Sequence, residues 1–126
     1  MKNKNLIPST FNCGGQPMEV RLVDKCDSDD AGNACWIGGF IEIGNKISYN
    51  IPQSEGSKIN TFFHELVHTI LFNMGEKELN NNERFVCSFA GFLTEAMTTA
   101  DYPEDIFNKM LLDIKTNPVS KKNRVN

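Results

Sequence analysis

The chain has 126 residues, of which 40% are hydrophobic and 23% are charged, a composition typical of a globular protein and unlike that of a disordered or fibrous one. At this length a chain can bury a core of its own, so we expect a single domain over residues 1–126. The formal net charge of −3 and the pI near 5.3 give no overall attraction for nucleic acid, and the locally basic end, with Lys121, Lys122 and Arg124, is interpreted as part of a flexible tail over 118–126.

The N-terminal segment shows no export signal. Met1 to Pro8 carries positive charge, but no apolar run of signal-peptide length follows, and no apolar stretch of about 18 residues occurs anywhere. A cytoplasmic protein without membrane association is therefore expected. The four cysteines are then expected to be free thiols, although Cys26 and Cys35 are placed to meet across a loop. Their spacing contains no C-x-x-C pair, which disfavours a structural zinc site; they are Cys13, Cys26, Cys35 and Cys87.

The first half of the chain predicts strands. Met18 to Asp24 alternates, with Met18, Val20 and Leu22 on one side, as in a half-buried strand. Asp24 to Asn33 is rich in Asp and Asn and predicts a loop.

Residues 36–43 and 47–51 are predicted to form an antiparallel hairpin. A two-residue turn would pair Ile41 with Ser48, whereas a three-residue loop, Gly44-Asn45-Lys46, pairs Ile43 with Ile47 and Ile41 with Tyr49. The second register keeps apolar side chains on one face, so we prefer it. A break over 52–56 then leads into the helices.

The second half predicts three helices. Apolar residues from Lys58 to Met74 recur at threes and fours, and Gly75 is a natural terminator. A second helix is predicted to start at Asn81 or Asn82. A third is predicted from Asp101, with Pro103 in its first turn. The expected buried positions are Phe85, Val86, Phe89, Phe92 and Leu93 in the second helix and Ile106, Met110, Leu111 and Ile114 in the third. Strands followed by helices predict an α+β fold, with a small antiparallel sheet of about three strands packed against about three helices.

The first predicted helix carries the segment His64-Glu65-Leu66-Val67-His68, which contains the only two histidines of the chain. Because His64 and His68 are four residues apart, their imidazoles project from one helix face and can bind one metal ion. Glu65 lies about 100° further around the helix, from where its carboxylate reaches a metal-activated water without binding the metal. Imidazole ligands suit Zn²⁺, so the segment predicts a zinc site with Glu65 as the general base.

A catalytic zinc site takes three protein ligands, and without a third histidine the last must be Asp, Glu or Cys. Glu83 is our choice, because the second helix can fold back and bring its first turn toward His64 and His68. The ordinary alternative is that the acidic residue at this position only stabilises the N-terminus of the helix. Glu95, three turns further along, is the main competitor. The weaker candidates are Glu76, Glu78 and Cys87.

A peptidase also needs a group that stabilises the oxyanion. Tyr49 and Tyr102 are the two aromatic candidates, but half-buried tyrosines more commonly serve packing, so neither is included in the predicted site.

With these residues located, the chain resembles the ImmA/IrrE-like metallopeptidases, especially the short forms encoded by phages and prophages. The resemblance rests on the stretches Thr61 to Leu71, Glu78 to Val86 and Phe89-Ala90, together with the predicted strand over 46–51, and covers roughly residues 11–100. It implies that His64, His68 and Glu83 bind zinc, that Glu65 is the base, and that a small antiparallel sheet packs beside a zincin-like active-site helix. It also implies regulatory cleavage of a phage or bacterial protein such as a repressor.

The expected function is therefore hydrolysis of a peptide bond in a protein or peptide substrate by a Zn²⁺-dependent enzyme. One rival is a non-catalytic, antirepressor-like interaction protein that keeps the fold and the metal; the general base Glu65 argues against it, since a scaffold has no use for one. A second rival is a metal-dependent nuclease or other hydrolase, but such sites more often use three histidines, and the acidic balance offers no broad basic face.

Overall fold

The structure, a computed structural model, describes residues 5–116, apart from the side chains of residues 104–107 and 116. The predicted tail over 118–126, with Lys121, Lys122 and Arg124, lies outside the described residues, as does the side chain of Ile106. Within residues 5–116 the structure has no helix long and apolar enough to cross a membrane.

Among residues 5–116, five strands form one mixed sheet, and their bounds are β1 Thr10–Cys13, β2 Gln16–Lys25, β3 Gly32–Cys35, β4 Phe40–Ile47 and β5 Ile51–Pro52. The order is β1-β2-β4-β3, and β5 also pairs with β4. β2 and β4 run parallel, whereas the other pairs are antiparallel. The α+β class is confirmed, but the antiparallel sheet of about three strands is wrong in both number and direction. The chain between β2 and β4 includes β3, and so long a connection lets β4 return parallel to β2.

The predicted hairpin is misplaced. Gly44-Asn45-Lys46 lies inside β4, and the chain reverses instead at a 3₁₀ turn, Ser48–Asn50, where Tyr49 has a φ of 61°. Ile47 therefore pairs with Ile51, while Ile43 lies between Gly32 and Leu22 of the neighbouring strands. Neither the pairing of Ile43 with Ile47 nor that of Ile41 with Tyr49 occurs. The period-two argument assumed that each strand segment pairs with its neighbour in sequence, whereas β4 is a central strand that pairs with distant ones.

The described part of the chain has four helices, which are α1 Glu55–Met74, α2 Lys77–Asn80, α3 Glu83–Thr99 and α4 Glu104–Thr116. Ser54 caps α1 by accepting a hydrogen bond from the Ser57 N–H, and Gly75 ends the helix with a left-handed φ of 76°. Asn82 caps α3 in the same way, through the Phe85 N–H. The three predicted helices are thus confirmed, and the single-turn helix α2 was not predicted. The predicted start of the last helix is wrong, because α4 begins at Glu104 and Pro103 precedes it instead of lying in its first turn.

The core lies where α1 packs between the sheet and α3. Ile41 and Ile43 of β4 are fully buried, and so are Val86 and Ala90 of α3. The predicted buried face of α3 is partly wrong, because Phe89 and Phe92 are 51% and 74% exposed. The periodicity argument passed over Ala90, which is buried one turn after Val86, and Phe89 and Phe92 lie outside the helix face that these two residues share.

Other predicted apolar positions are also exposed in the structure. Leu22 of β2 is one, and the described members of the α4 stripe are the others, namely Met110, Leu111 and Ile114. All four cysteines are free thiols.

Candidate metal centre

His64 and His68 lie one turn apart on α1, with their ring centroids 4.9 Å from each other. Both rings point their Nε2 atoms at the carboxylate of Glu83. The distances are 3.3 Å from His64 Nε2 to Oε2 and 2.8 Å from His68 Nε2 to Oε1. Ligand-type atoms of all three residues lie within 4.8 Å of one another. The structure therefore brings together the three residues that the sequence predicts as metal ligands.

Glu83 reaches this place because of local turns and packing. The left-handed Gly75 ends α1, the single turn α2 carries the chain back, and Asn82 caps the start of α3. Val86, one turn into α3, is fully buried against the core, which fixes the first turn of α3 beside the two histidines. An acidic residue is also favourable in a first helical turn, where the backbone dipole is positive.

The other candidates for the third metal ligand lie outside the cluster of His64, His68 and Glu83 or at its edge. Glu95 is twelve residues beyond Glu83, which is about 18 Å along a helix axis. Within residues 5–116, the cluster of possible ligands around the histidines includes neither Glu95 nor the loop acids Glu76 and Glu78. Cys87 comes nearer, one turn after Glu83 on α3, with its Sγ atom 3.9 Å from Nδ1 of His64 and 4.0 Å from Oε2 of Glu83.

His68 has a second partner at its other ring nitrogen. Nδ1 of His68 lies 2.5 Å from Oδ1 of Asn80, the last residue of α2. Because an amide oxygen accepts only, Nδ1 of His68 carries the hydrogen and Nε2 presents its lone pair toward Glu83. Sequence reasoning missed Asn80, since the run Asn80-Asn81-Asn82 was interpreted only as a source of helix caps.

Burial lowers the pKa of His64, and the neighbouring His68 lowers it further, while the carboxylate of Glu83 opposes both effects. The imidazole of His64 is therefore biased toward its neutral form, which is the form that binds metal ions.

Glu65 lies on the same helix face, and its carboxyl is largely removed from water. Burial raises its pKa to about 7; the charges of Glu83 and Asp30 also raise it, and His68 opposes them. A carboxyl group with a pKa near the operating pH can both accept and return a proton, as a general base and acid must. Its placement beside the histidine–glutamate cluster suits that role.

These side chains line one cleft of about 480 Å³. The first wall is formed by α1, with Asn60, Thr61, His64, Glu65 and His68. The second wall is the first turn of α3, with Glu83, and the third is the segment that leads into β3. The β3 wall is formed by Asp30, Ala31, Gly32 and Asn33. Sequence reasoning missed this third wall, because it assigned residues 24–33 to a loop without chemistry.

Neither predicted oxyanion candidate lines the cleft. Tyr49 is 93% exposed in the turn before β5, and Tyr102 is 61% exposed before α4. The sequence prediction did not include either tyrosine in the site, and their positions in the structure agree with that.

Comparisons of the chain with protein-family models, with curated proteins and with solved structures found no match. The resemblance to ImmA/IrrE-like peptidases stays a prediction that rests on the motif residues, and the geometry of the cleft carries the functional argument.

Proposed function

We propose that the chain is a zinc-dependent metallopeptidase that hydrolyses a peptide bond of a protein substrate. The observation that carries this proposal is the convergence of His64 Nε2, His68 Nε2 and the Glu83 carboxylate within 4.8 Å, in one cleft with the buried carboxyl of Glu65. Metal ligands beside a potential general base are the smallest set of groups that metal-assisted hydrolysis requires.

The donor set fits zinc. Two imidazoles and one carboxylate are a ligand set of catalytic zinc sites, which leave a fourth position open for water or substrate. The hydrogen bond from His68 to Asn80 also fits, because ligating histidines commonly donate their other ring N–H to an oxygen acceptor. With that tautomer, the lone pair of His68 Nε2 faces a carboxylate oxygen at 2.8 Å, an arrangement that a shared cation stabilises.

His64, His68 and Glu83 would hold the metal. When bound, zinc supplies Lewis-acid chemistry, which activates water and polarises the carbonyl of the scissile bond. Glu65 takes the proton of the attacking water on its carboxylate and later returns it to the leaving amine. The walls of the cleft hold the substrate and keep Glu65 largely out of bulk solvent, which maintains its raised pKa.

The substrate of this proposal is a protein, and the family resemblance favours a phage or bacterial regulator such as a repressor. The alternative is a metal-binding interaction protein that keeps the site without turnover. The half-buried Glu65 favours the enzyme, because removing a carboxyl group from water costs free energy and an interaction surface gains nothing from it.

Substituting Glu65 tests the proposal. We expect wild-type protein to bind about one zinc per chain, and Glu65→Gln to keep the zinc while losing about 10²- to 10⁴-fold in turnover, the usual contribution of a general base. Zinc is measured by elemental analysis, and turnover by mass spectrometry of new termini in a peptide library from a bacterial proteome. Glu95→Gln, which removes an exposed glutamate of α3, is the matched control and is expected to change neither quantity.

The outcomes separate the two functions. A chain that binds no zinc contradicts both of them. Zinc binding without any new termini beyond those of Glu65→Gln supports the interaction protein and contradicts the peptidase.

A further inference from the structure

The cleft contains a carboxylate that the proposed reaction does not use. Of its three acidic lining residues, Glu83 faces the histidines and Glu65 is the proposed base, which leaves Asp30. Asp30 is exposed, and its charge is close enough to Glu65 to raise the pKa of that group. Among the lining residues there is no lysine or arginine to pair with it.

The neighbouring cations are already paired with other acids. Lys25 Nζ lies 2.8 Å from Asp29 Oδ1, and Lys46 Nζ lies 3.4 Å from Asp24 Oδ1. Within the part of the chain that the structure describes, no ion pair involves Asp30. Asp30 therefore leaves an uncompensated negative charge at the rim of the cleft.

The position of Asp30 is firmly defined. The next residue, Ala31, accepts a 3.0 Å hydrogen bond from the side chain of Gln53, which is itself buried. Gln53 is anchored in turn, since its Oε1 accepts hydrogen bonds from the hydroxyls of Ser57 and Thr61 on α1. A carboxylate held next to such an anchored backbone loses little freedom when it binds a cation, which favours affinity.

The strand that follows offers a backbone edge to a ligand. β3 is the last strand on its side of the sheet, and it pairs only with β4 among the described strands. The Gly44 N–H donates to the Ala31 carbonyl, so Ala31 and Asn33 face β4 in the alternating antiparallel ladder. Gly32 and Ala34 then direct their N–H and C=O groups to the free edge. An extended peptide can pair with such an edge as an added strand.

This edge runs directly against the catalytic helix. A Cβ atom on Gly32 would lie 2.4 Å from Cγ2 of Thr61 and 3.3 Å from Cγ of Glu65, so only glycine allows β3 to come this close. A peptide along β3 would therefore pass both Glu65 and Asp30 within a few residues of its own length.

We infer that the peptidase, if the proposed function is right, selects extended substrate segments with a lysine or arginine near the scissile bond, and that Asp30 is the specificity-determining residue that binds this basic side chain. The backbone of the segment pairs with the free edge of β3 through Gly32 and Ala34. Asp30 thus sets side-chain preference, whereas the strand edge binds peptides of many sequences.

Peptide binding to the Glu65→Gln variant, which prevents cleavage, tests this inference. The probes are fluorescein-labelled ten-residue peptides with an Ala/Ser/Thr background, in which one lysine or its uncharged analogue norleucine is moved through every position. Fluorescence anisotropy measures each dissociation constant, and the zinc content of the same sample is recorded. At one or two adjacent positions we expect lysine to bind about two- to fivefold more tightly than norleucine, as is usual for an ion pair in contact with solvent.

The matched pair of variants is Asp30→Asn and Asp29→Asn in the same background. Both remove one negative charge from the same loop, but only Asp30 lines the cleft. We expect the lysine preference to fall to about one in Asp30→Asn and to persist in Asp29→Asn. A general charge effect would lower it equally in both.

The strand edge has its own variant. Ala34→Pro removes an N–H that faces away from β4, so the ladder survives while an added strand loses a partner. We expect all peptides to bind this variant more weakly, without a change in the lysine-to-norleucine ratio.

The outcomes are distinguishable from failure of the proposed function. A zinc-loaded protein that binds no peptide of the set, or that binds lysine and norleucine alike at every position, overturns the inference and leaves the peptidase standing. A protein without zinc overturns the peptidase, and the Asp30-dependent lysine preference is then judged on the binding data alone.

Discussion

The two histidines of the candidate site sit in unequal surroundings. Behind His68, the amide oxygen of Asn80 lies within hydrogen-bond distance of Nδ1 and defines the tautomer. At Nδ1 of His64, the described residues offer only the Sγ atom of Cys87, which lies 3.9 Å away, and a thiol is a weak hydrogen-bond acceptor. The side toward Glu83 is similar for both rings. One imidazole is thus oriented from both sides, and the other mainly by its own helix and by Glu83.

This difference separates the groups that should bind metal from those that orient them. In the proposed site, His64, His68 and Glu83 would bind the metal directly, whereas partners at Nδ1 would keep each Nε2 lone pair aimed at it. Substitutions around the site should therefore fall into a graded series, with Glu83 first, Asn80 second and Cys87 last.

Removal of Glu83 should have the largest effect, because this residue faces both histidines. We expect Glu83→Ala to weaken zinc binding by more than about a hundredfold, which exceeds the 10- to 100-fold usually lost with an outer partner. Competition with a chromophoric chelator measures the affinity.

Glu95→Ala is the matched control, since it removes the same charge from the same helix about 18 Å away. It should retain zinc with unchanged affinity. If Glu95→Ala alone released the metal, Glu83 would not be the third ligand, and the packing of α3 against α1 would need a different explanation.

Local spacing was sufficient to predict the part of the site that lies on α1. His64, Glu65 and His68 share a face because the helical repeat dictates it, and the helix itself follows from its apolar periodicity. Glu83 required one further step, the return of α3, which the cap at Asn82 and the short connection made predictable.

The remaining parts of the site depend on contacts between distant segments. Asn80 reaches His68 because α2 forms a single helical turn, which is too short for a periodic signal. Asp30 and Gly32 reach the cleft because β3 pairs with a central β4, and the sequence suggested a local hairpin instead. Strand pairing across long separations leaves no pattern in a single sequence, whereas helix faces do.

Removal of Asn80 should have an intermediate effect. We expect Asn80→Ala to weaken zinc binding by about 10- to 100-fold, because His68 loses the acceptor that orients it, and Asn80→Asp to preserve binding, because a carboxylate accepts the same hydrogen bond. Nitrogen chemical shifts of the His68 ring in metal-free protein should show the hydrogen leaving Nδ1 in part in Asn80→Ala.

Asn81→Ala, at the adjacent exposed asparagine, controls for the loss of an amide from this connection. Equal losses of affinity in Asn80→Ala and Asn81→Ala would mean that the contact with His68 does not orient the ligand, and the contrast between the two histidines would disappear.

Removal of Cys87 should have the smallest effect and is the sharpest test of the contrast. The Sγ atom lies 3.9 Å from Nδ1 of His64 and 4.0 Å from Oε2 of Glu83, so we expect Cys87→Ala to change zinc affinity by about threefold or less, as befits a weak acceptor. The absorption of the cobalt-substituted protein provides a second measurement, because a thiolate ligand adds an intense near-ultraviolet charge-transfer band that imidazole and carboxylate ligands lack. A loss of affinity as large as that of Glu83→Ala, together with that band in the wild type, would make Cys87 a ligand. The absence of the band, with near-normal affinity in Cys87→Ala, would leave His64 as the ligand oriented mainly by its own helix and by Glu83.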